Sequence, residues 1–95
     1  MNKRIHLKLI QEDIDYGQRR NSRRCPIARA ILRQLQPYNV SVDADVIVIN
    51  GDYYRGSPHS LVSNGKAIPK FIYAFDRCGA KAVKPRGFYL YPVPQ

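Results

Sequence analysis

The chain has 95 residues, 44% of them hydrophobic and 24% charged, and carries a formal net charge of +9 from sixteen Lys and Arg against seven Asp and Glu. That length supports one hydrophobic core, so a single domain over residues 1–95 is expected. The hydrophobic fraction excludes a disordered basic tail, and the lack of an apolar run of about 18 residues excludes a membrane-spanning helix. Lys3, Arg4 and Lys8 are not followed by the apolar stretch of a signal peptide, which points to the cytoplasm. The charge is uneven: residues 1–37 sum to +6, residues 38–62 to −2 and residues 63–95 to +5. A basic–acidic–basic layout favours a polyanionic or acidic ligand.

Residues 4–10 alternate, with Ile5, Leu7 and Leu9 on one face and Arg4, His6 and Lys8 on the other, as in a half-buried strand. Gln11 to Gly17 combines early acids with a closing glycine and suits one helical turn ended by a left-handed residue. Residues 18–24 hold four arginines and no apolar side chain, and read as an exposed loop. A helix follows, with Cys25 as its cap and Pro26 at the first helical position. Ile27, Ile31 and Leu35, flanked by Ala28 and Leu32, form its apolar stripe, and Arg29 and Arg33 are expected to point outward. Pro37 stops it.

Residues 40–55 read as strands. Val46 to Ile49 is apolar on both faces, as in a covered central strand, and Asn50-Gly51 is a two-residue hairpin turn. Residues 56–65 read as a loop. A second helix starts near Ile68-Pro69 and ends at Gly79, with Ile68, Phe71, Ile72 and Phe75 on one face and Lys70, Tyr73 and Arg77 on the other. In the last strand Phe88 and Leu90 alternate with Tyr89 and Tyr91. Pro85 and Pro92 fence it and predict a place at the sheet edge. The order is β-α-β-β(-β)-α-β, an α+β two-layer sandwich of a mostly antiparallel four- or five-stranded sheet with two helices on one face. A ferredoxin-like βαββαβ arrangement is the alternative.

Three stretches read together suggest a relationship: QEDIDYG at 11–17, CPIARAI at 25–31 and FIYAFDRCGAKAVKP at 71–85. They resemble a group of small proteins of tailed-phage and prophage genomes with a Q-E-D-I-x-x-G, C-P-I-A-x-A and F-D-x-G pattern. The late glycine, Gly79, comes one residue beyond that spacing, and the loop at 18–24 is more basic than the group's. The resemblance implies a phage origin and an accessory role, with no implied mechanism.

The leading candidate site is the cluster Arg19, Arg20, Arg23 and Arg24, continued by Arg29 and Arg33 along the first main helix. Loop amides, the helix dipole and guanidinium forks would together hold phosphate or carboxylate. A solvated, solubilising basic face is the plainer reading. Lys70, Tyr73 and Arg77 form a second patch that mixes cations with an aromatic ring, suited to nucleic acid or to an acidic protein surface. Most tyrosines are expected to pack in the core or on the sheet. Cys25, next to Arg23 and Arg24, is expected to have a lowered pKa. Neither His6 nor His59 forms a Cys-His arrangement with it, so a helix-cap role is preferred to catalysis. Two Cys and two His lack metal-ligand spacing, and Glu12, Asp13 and Asp15 read as ordinary acids of a first helical turn.

The sequence therefore predicts a non-enzymatic protein without cofactor or metal, acting by binding. Its expected partner is nucleic acid, through DNA or RNA backbone. The alternative is an inhibitor of the anti-CRISPR or transcription-inhibitor type, docking on an acidic or nucleic-acid-binding host protein. No membrane partner is expected, and an edge-located last strand would permit a homodimer.

Overall fold

The computed structural model describes residues 3–56 and 66–94. The elements run β1 (Ile5–Lys8), α1 (Gln11–Tyr16), α2 (Pro26–Leu35), β2 (Val40–Val42), β3 (Ile47–Ile49), β4 (Asp52–Arg55), α3 (Ala67–Cys78), a 3-10 turn (Ala80–Ala82) and β5 (Gly87–Pro92). Residues 57–65, most of the expected loop and its His59, lie outside the described residues.

The five strands form one antiparallel sheet in the order β1-β5-β4-β3-β2. This is the five-stranded form of the expected α+β sandwich. The meander β2-β3-β4 and the five-strand order replace the ferredoxin-like alternative. Alternation decides the faces. Leu7, Leu9, Phe88, Leu90, Tyr54, Ile47, Ile49, Val40 and Val42 are buried, and they join Ile27, Ala28, Ala30 and Ile31 of α2 with Ile68, Phe71 and Phe75 of α3 in one core. Both long helices therefore cover the same side of the sheet. Asn50 (φ 50°) and Gly51 (φ 83°) close the β3–β4 hairpin with the two positive φ angles such a turn needs. The Asn50 side-chain oxygen also accepts from the amides of Tyr38 (2.7 Å) and Asn39 (3.2 Å).

Four local expectations are corrected. β5 is interior: Gly87–Leu90 pair with β1, and Tyr91 and Pro92 pair with β4. Pro85 precedes the strand and Pro92 ends it, so neither removes a donor from the stretch between them. That removes the reason for a homodimer through the last strand. The true edges are β1 and β2, and both are occupied. On β1 the Gln34 side chain accepts from Lys8 N–H and donates to His6 C=O, each at 2.8 Å. On β2 the Val42 amide donates to Ser22 C=O at 2.7 Å.

The covered strand also differs. β4 stands at the middle of the sheet, and Val48 of β3 is only half-buried, because the helices cover one face. Gly17 is not left-handed (φ −68°); it is glycine because a Cβ there would lie 2.7 Å from the Pro26 ring and 2.8 Å from Asp13 C=O. Finally, the stripe of α2 is rotated: Ala30 is buried, whereas Leu32 and Leu35 are each 40% exposed.

Candidate functional site

The arginine-rich segment is an anchored, internally bonded loop. Gln18 N–H donates to Arg24 C=O at 2.8 Å and closes its neck. The Asn21 side-chain oxygen accepts from the amides of Arg23 (3.0 Å) and Arg24 (3.1 Å), an Asx-type turn that leads into the cap of α2. Arg20 has φ 54°, an uncommon angle for a residue with a Cβ. Its amide donates to the Asp76 carboxylate at 2.8 Å.

Arg19 fixes the loop to α3. Its Nε donates to Asp76 C=O at 2.9 Å and its Nη2 to Arg77 C=O at 2.5 Å. These carbonyls belong to the last turn of α3, where intrahelical partners run out and the dipole is negative. A guanidinium there satisfies the helix end. It also brings the loop beside the C-terminal end of α3, so the loop and Arg77 are neighbours despite about 57 residues of sequence separation.

The six candidate arginines of the loop and α2 thus divide. Arg20, Arg23 and Arg24 are exposed, and among the described residues their guanidinium groups make no hydrogen bond or ion pair. Arg19, although exposed, is engaged by α3. Arg29 does not point outward: it is half-buried, its Nε is buried without a partner, and its guanidinium carbon lies 5.7 Å from the Tyr16 ring centre. Arg33 turns onto Asp13, with Nη2 at 2.8 Å from Oδ2 and Nε at 3.4 Å from Oδ1, and also donates to Lys8 C=O at 2.6 Å. Asp13 is 2% exposed and also accepts from Ile10 N–H at 3.0 Å. The hydrogen bond to Asp13 raises the Arg33 pKa further. Asp13 is thus the buried anchor of α1 against α2, and nothing in its local sequence distinguishes it from Glu12 and Asp15.

On α3, Lys70, Tyr73 and Arg77 are exposed on the expected face, with Arg77 hydrogen-bonded to the Tyr73 hydroxyl and its guanidinium carbon 5.2 Å from that ring centre. Beneath the loop lies an open cleft of about 410 Å³, lined by Arg20, Asn21, Ser22, Cys25, Asp43 and Asp76 among others. Two carboxylates at this cleft make it a poor anion pocket.

Cys25 corrects another expectation. Its thiol accepts from Ala28 N–H at 3.5 Å as the cap of α2. Burial, followed by the smaller effect of Asp76, pushes its pKa above the ordinary 9.0 against the lowering by the Ala28 and Ile27 amides. Loss of hydration outweighs the helix end. Cys78 is exposed. Of the tyrosines, Tyr54 is buried in the core and Tyr53, Tyr89 and Tyr91 lie on the sheet, whereas Tyr16, Tyr38 and Tyr73 are exposed away from it. Among the described residues no three His, Cys, Asp or Glu cluster as metal ligands, and no helix is long and apolar enough to cross a membrane.

No protein-family model, curated protein or solved structure matches this chain.

Proposed function

We propose that the protein binds the phosphate backbone of nucleic acid, without catalysing a reaction, through Arg20, Arg23 and Arg24 of the loop together with Lys70, Tyr73 and Arg77 of α3. One observation carries this reading. The fold commits Arg19 to holding the loop beside α3, while Arg20, Arg23 and Arg24 of the same short loop stay exposed, with guanidinium groups that make no hydrogen bond or ion pair among the described residues. Like charges held this way repel one another, and an anionic ligand relieves that repulsion. Phosphate contacts of this kind read little sequence. The phage-type accessory role, drawn from the sequence resemblance, and a cytoplasmic setting belong to the same proposal.

Fluorescence anisotropy with a labelled duplex, across a salt series, tests it. Affinity should fall steeply with salt, and Arg20, Arg23 and Arg24 changed together to Ala should flatten the log–log slope by up to about 0.9 for each phosphate no longer neutralised. An unchanged slope in the triple variant refutes the assignment. A salt-stable, stoichiometric complex with one host protein after nuclease treatment would replace it with the inhibitor reading.

A further inference from the structure

The side of the sheet away from the helices carries a second surface, which the arginine loop does not explain. Strand alternation points Leu7, Tyr54, Phe88 and Leu90 into the core, and therefore turns His6, Tyr53, Arg55, Tyr89 and Tyr91 to the opposite face, with Arg4 just before β1. No outward position of the five strands is acidic. Tyr53 is 46% and Tyr89 42% exposed.

Part of this face is already assembled. His6 and Tyr89 are opposite one another in the β1–β5 register, and their rings stack with centres 4.5 Å apart and planes 14° from parallel. The Arg4 guanidinium carbon lies 4.6 Å from the Tyr89 ring centre. Gly87 makes room for the stack, because a Cβ there would come within 2.8 Å of His6 Nε2. Toward the middle of the sheet Arg55 is opposite Tyr91 in the register, and Tyr53 is two residues along the same strand. Among the described residues, the rings of Tyr53 and Tyr91 have no aromatic or cationic partner.

We infer that this open sheet face is a stacking platform for single-stranded nucleic acid, with bases on Tyr53 and Tyr91 and backbone phosphates on Arg4 and Arg55. The exposed Tyr53 and the half-buried Tyr91, on adjacent strands, offer π-faces on this side of the sheet. Arg4, beside the Tyr89 ring, and Arg55, which also borders a cleft lined by Asp43 and Asp45, supply the charge that a phosphate chain needs. An apolar protein partner would not call for Arg4 and Arg55 beside the rings. A duplex, whose bases are already stacked, could not use the rings.

The test compares an oligothymidylate of about 15 nucleotides, its uridylate counterpart and a duplex of equal length by anisotropy at low salt. Wild type should bind both single strands more tightly than the duplex. Tyr53→Ile and Tyr91→Ile keep strand preference but remove the π-faces. Each should weaken single-strand binding by at least about fivefold, with duplex binding changed less than about twofold. Tyr53→Phe should retain wild-type affinity. Should the Ile variants fail to fold, Arg55→Gln, an exposed change outside the core, should still weaken single-strand binding. Arg23→Ala with Arg24→Ala should weaken both ligands alike, so failure of the loop assignment is separable from failure of this one. Equal affinity for single strand and duplex overturns the inference, as does loss of both ligands in the Tyr variants. Sheet-face variants that lose only a protein partner would overturn it in favour of a protein interface.

Discussion

Replacing Arg33 with Met tests the central structural assignment, that this arginine belongs to the fold and not to the ligand surface. Met keeps much of the apolar stem and removes the guanidinium. The change would leave the Asp13 carboxylate, 2% exposed, with Ile10 N–H as its remaining hydrogen-bond donor, and would free Lys8 C=O. Removing one partner of a fully buried pair costs about 3–5 kcal/mol. The Arg33 side chain is 39% exposed, so water screens the pair and can partly replace the missing partner. About 2–3 kcal/mol is therefore expected, a fall of about 10–20 °C in Tm for a domain of this size. Asp13→Asn keeps an acceptor for Ile10 N–H and should cost less, about 1–2 kcal/mol. The double variant should cost well below the sum, because neither change then strands the other group. Thermal and urea denaturation followed by circular dichroism measures all three. A cost below about 0.5 kcal/mol for Arg33→Met, with no coupling to Asp13, refutes the reasoning. So does a loss of duplex affinity in folded Arg33→Met as large as that of Arg23→Ala, which would make Arg33 a ligand-binding residue.

Gly17→Ala forces a Cβ to within 2.7 Å of the Pro26 ring and 2.8 Å of a backbone carbonyl; it should destabilise by about 2–3 kcal/mol in urea denaturation. Arg19→Ala removes two hydrogen bonds from the end of α3 and should cost about 1–2 kcal/mol, with faster amide exchange at Arg20 through Arg24 as the local readout. The contribution of two buried groups to stability should be flat at neutral pH and fall as pH rises past about 9. Burial holds the Cys25 thiol and the Tyr54 hydroxyl above their ordinary 9.0 and 10.0, so the unfolded chain loses these protons first and gains from rising pH. Denaturation midpoints at pH 8 and pH 10 check this sign, and equal midpoints would refute it.

What the sequence showed was local, and what it hid was long-range. Two-residue alternation identified the inward sides of β1 and β5, and Asn50-Gly51 located the hairpin, because each depends on neighbours in the chain. The periodicity of α3 likewise put Lys70, Tyr73 and Arg77 together on solvent. The use of individual arginines did not follow from such patterns. Arg33 finds Asp13 across 20 residues and Arg19 finds the end of α3 across 57 and 58, and nothing in a run of RR separates a helix-end clamp from an exposed cation. Helical spacing put Arg29 and Arg33 on the outer face of α2 as if α2 had one neighbour. The short helix α1, packed beside it, turned that face into an interface. Cys25 went wrong for a related reason: its basic neighbours are adjacent in sequence, but its solvent exposure is set by the core it enters.

The two proposed surfaces lie on different layers of the sandwich. Lys70, Tyr73 and Arg77 face away from the core on the helix side, and Tyr53 and Tyr91 do so on the sheet side. The molecule is only 19 Å across its shortest dimension. A strand long enough to pass around an edge could therefore touch both, and its second contact would be intramolecular. Oligonucleotides of about four nucleotides should fill the surfaces independently, two per protein by calorimetry, whereas a strand several times longer should bind one to one. Its affinity should exceed that of the short ligand by about 10²-fold or more, as effective concentration requires. Tyr53→Ile or the Arg20, Arg23, Arg24 triple variant should each abolish that gain and leave the affinity of the remaining surface nearly intact. A single short oligonucleotide per protein, released equally by both variants, would mean that the two surfaces act as one site.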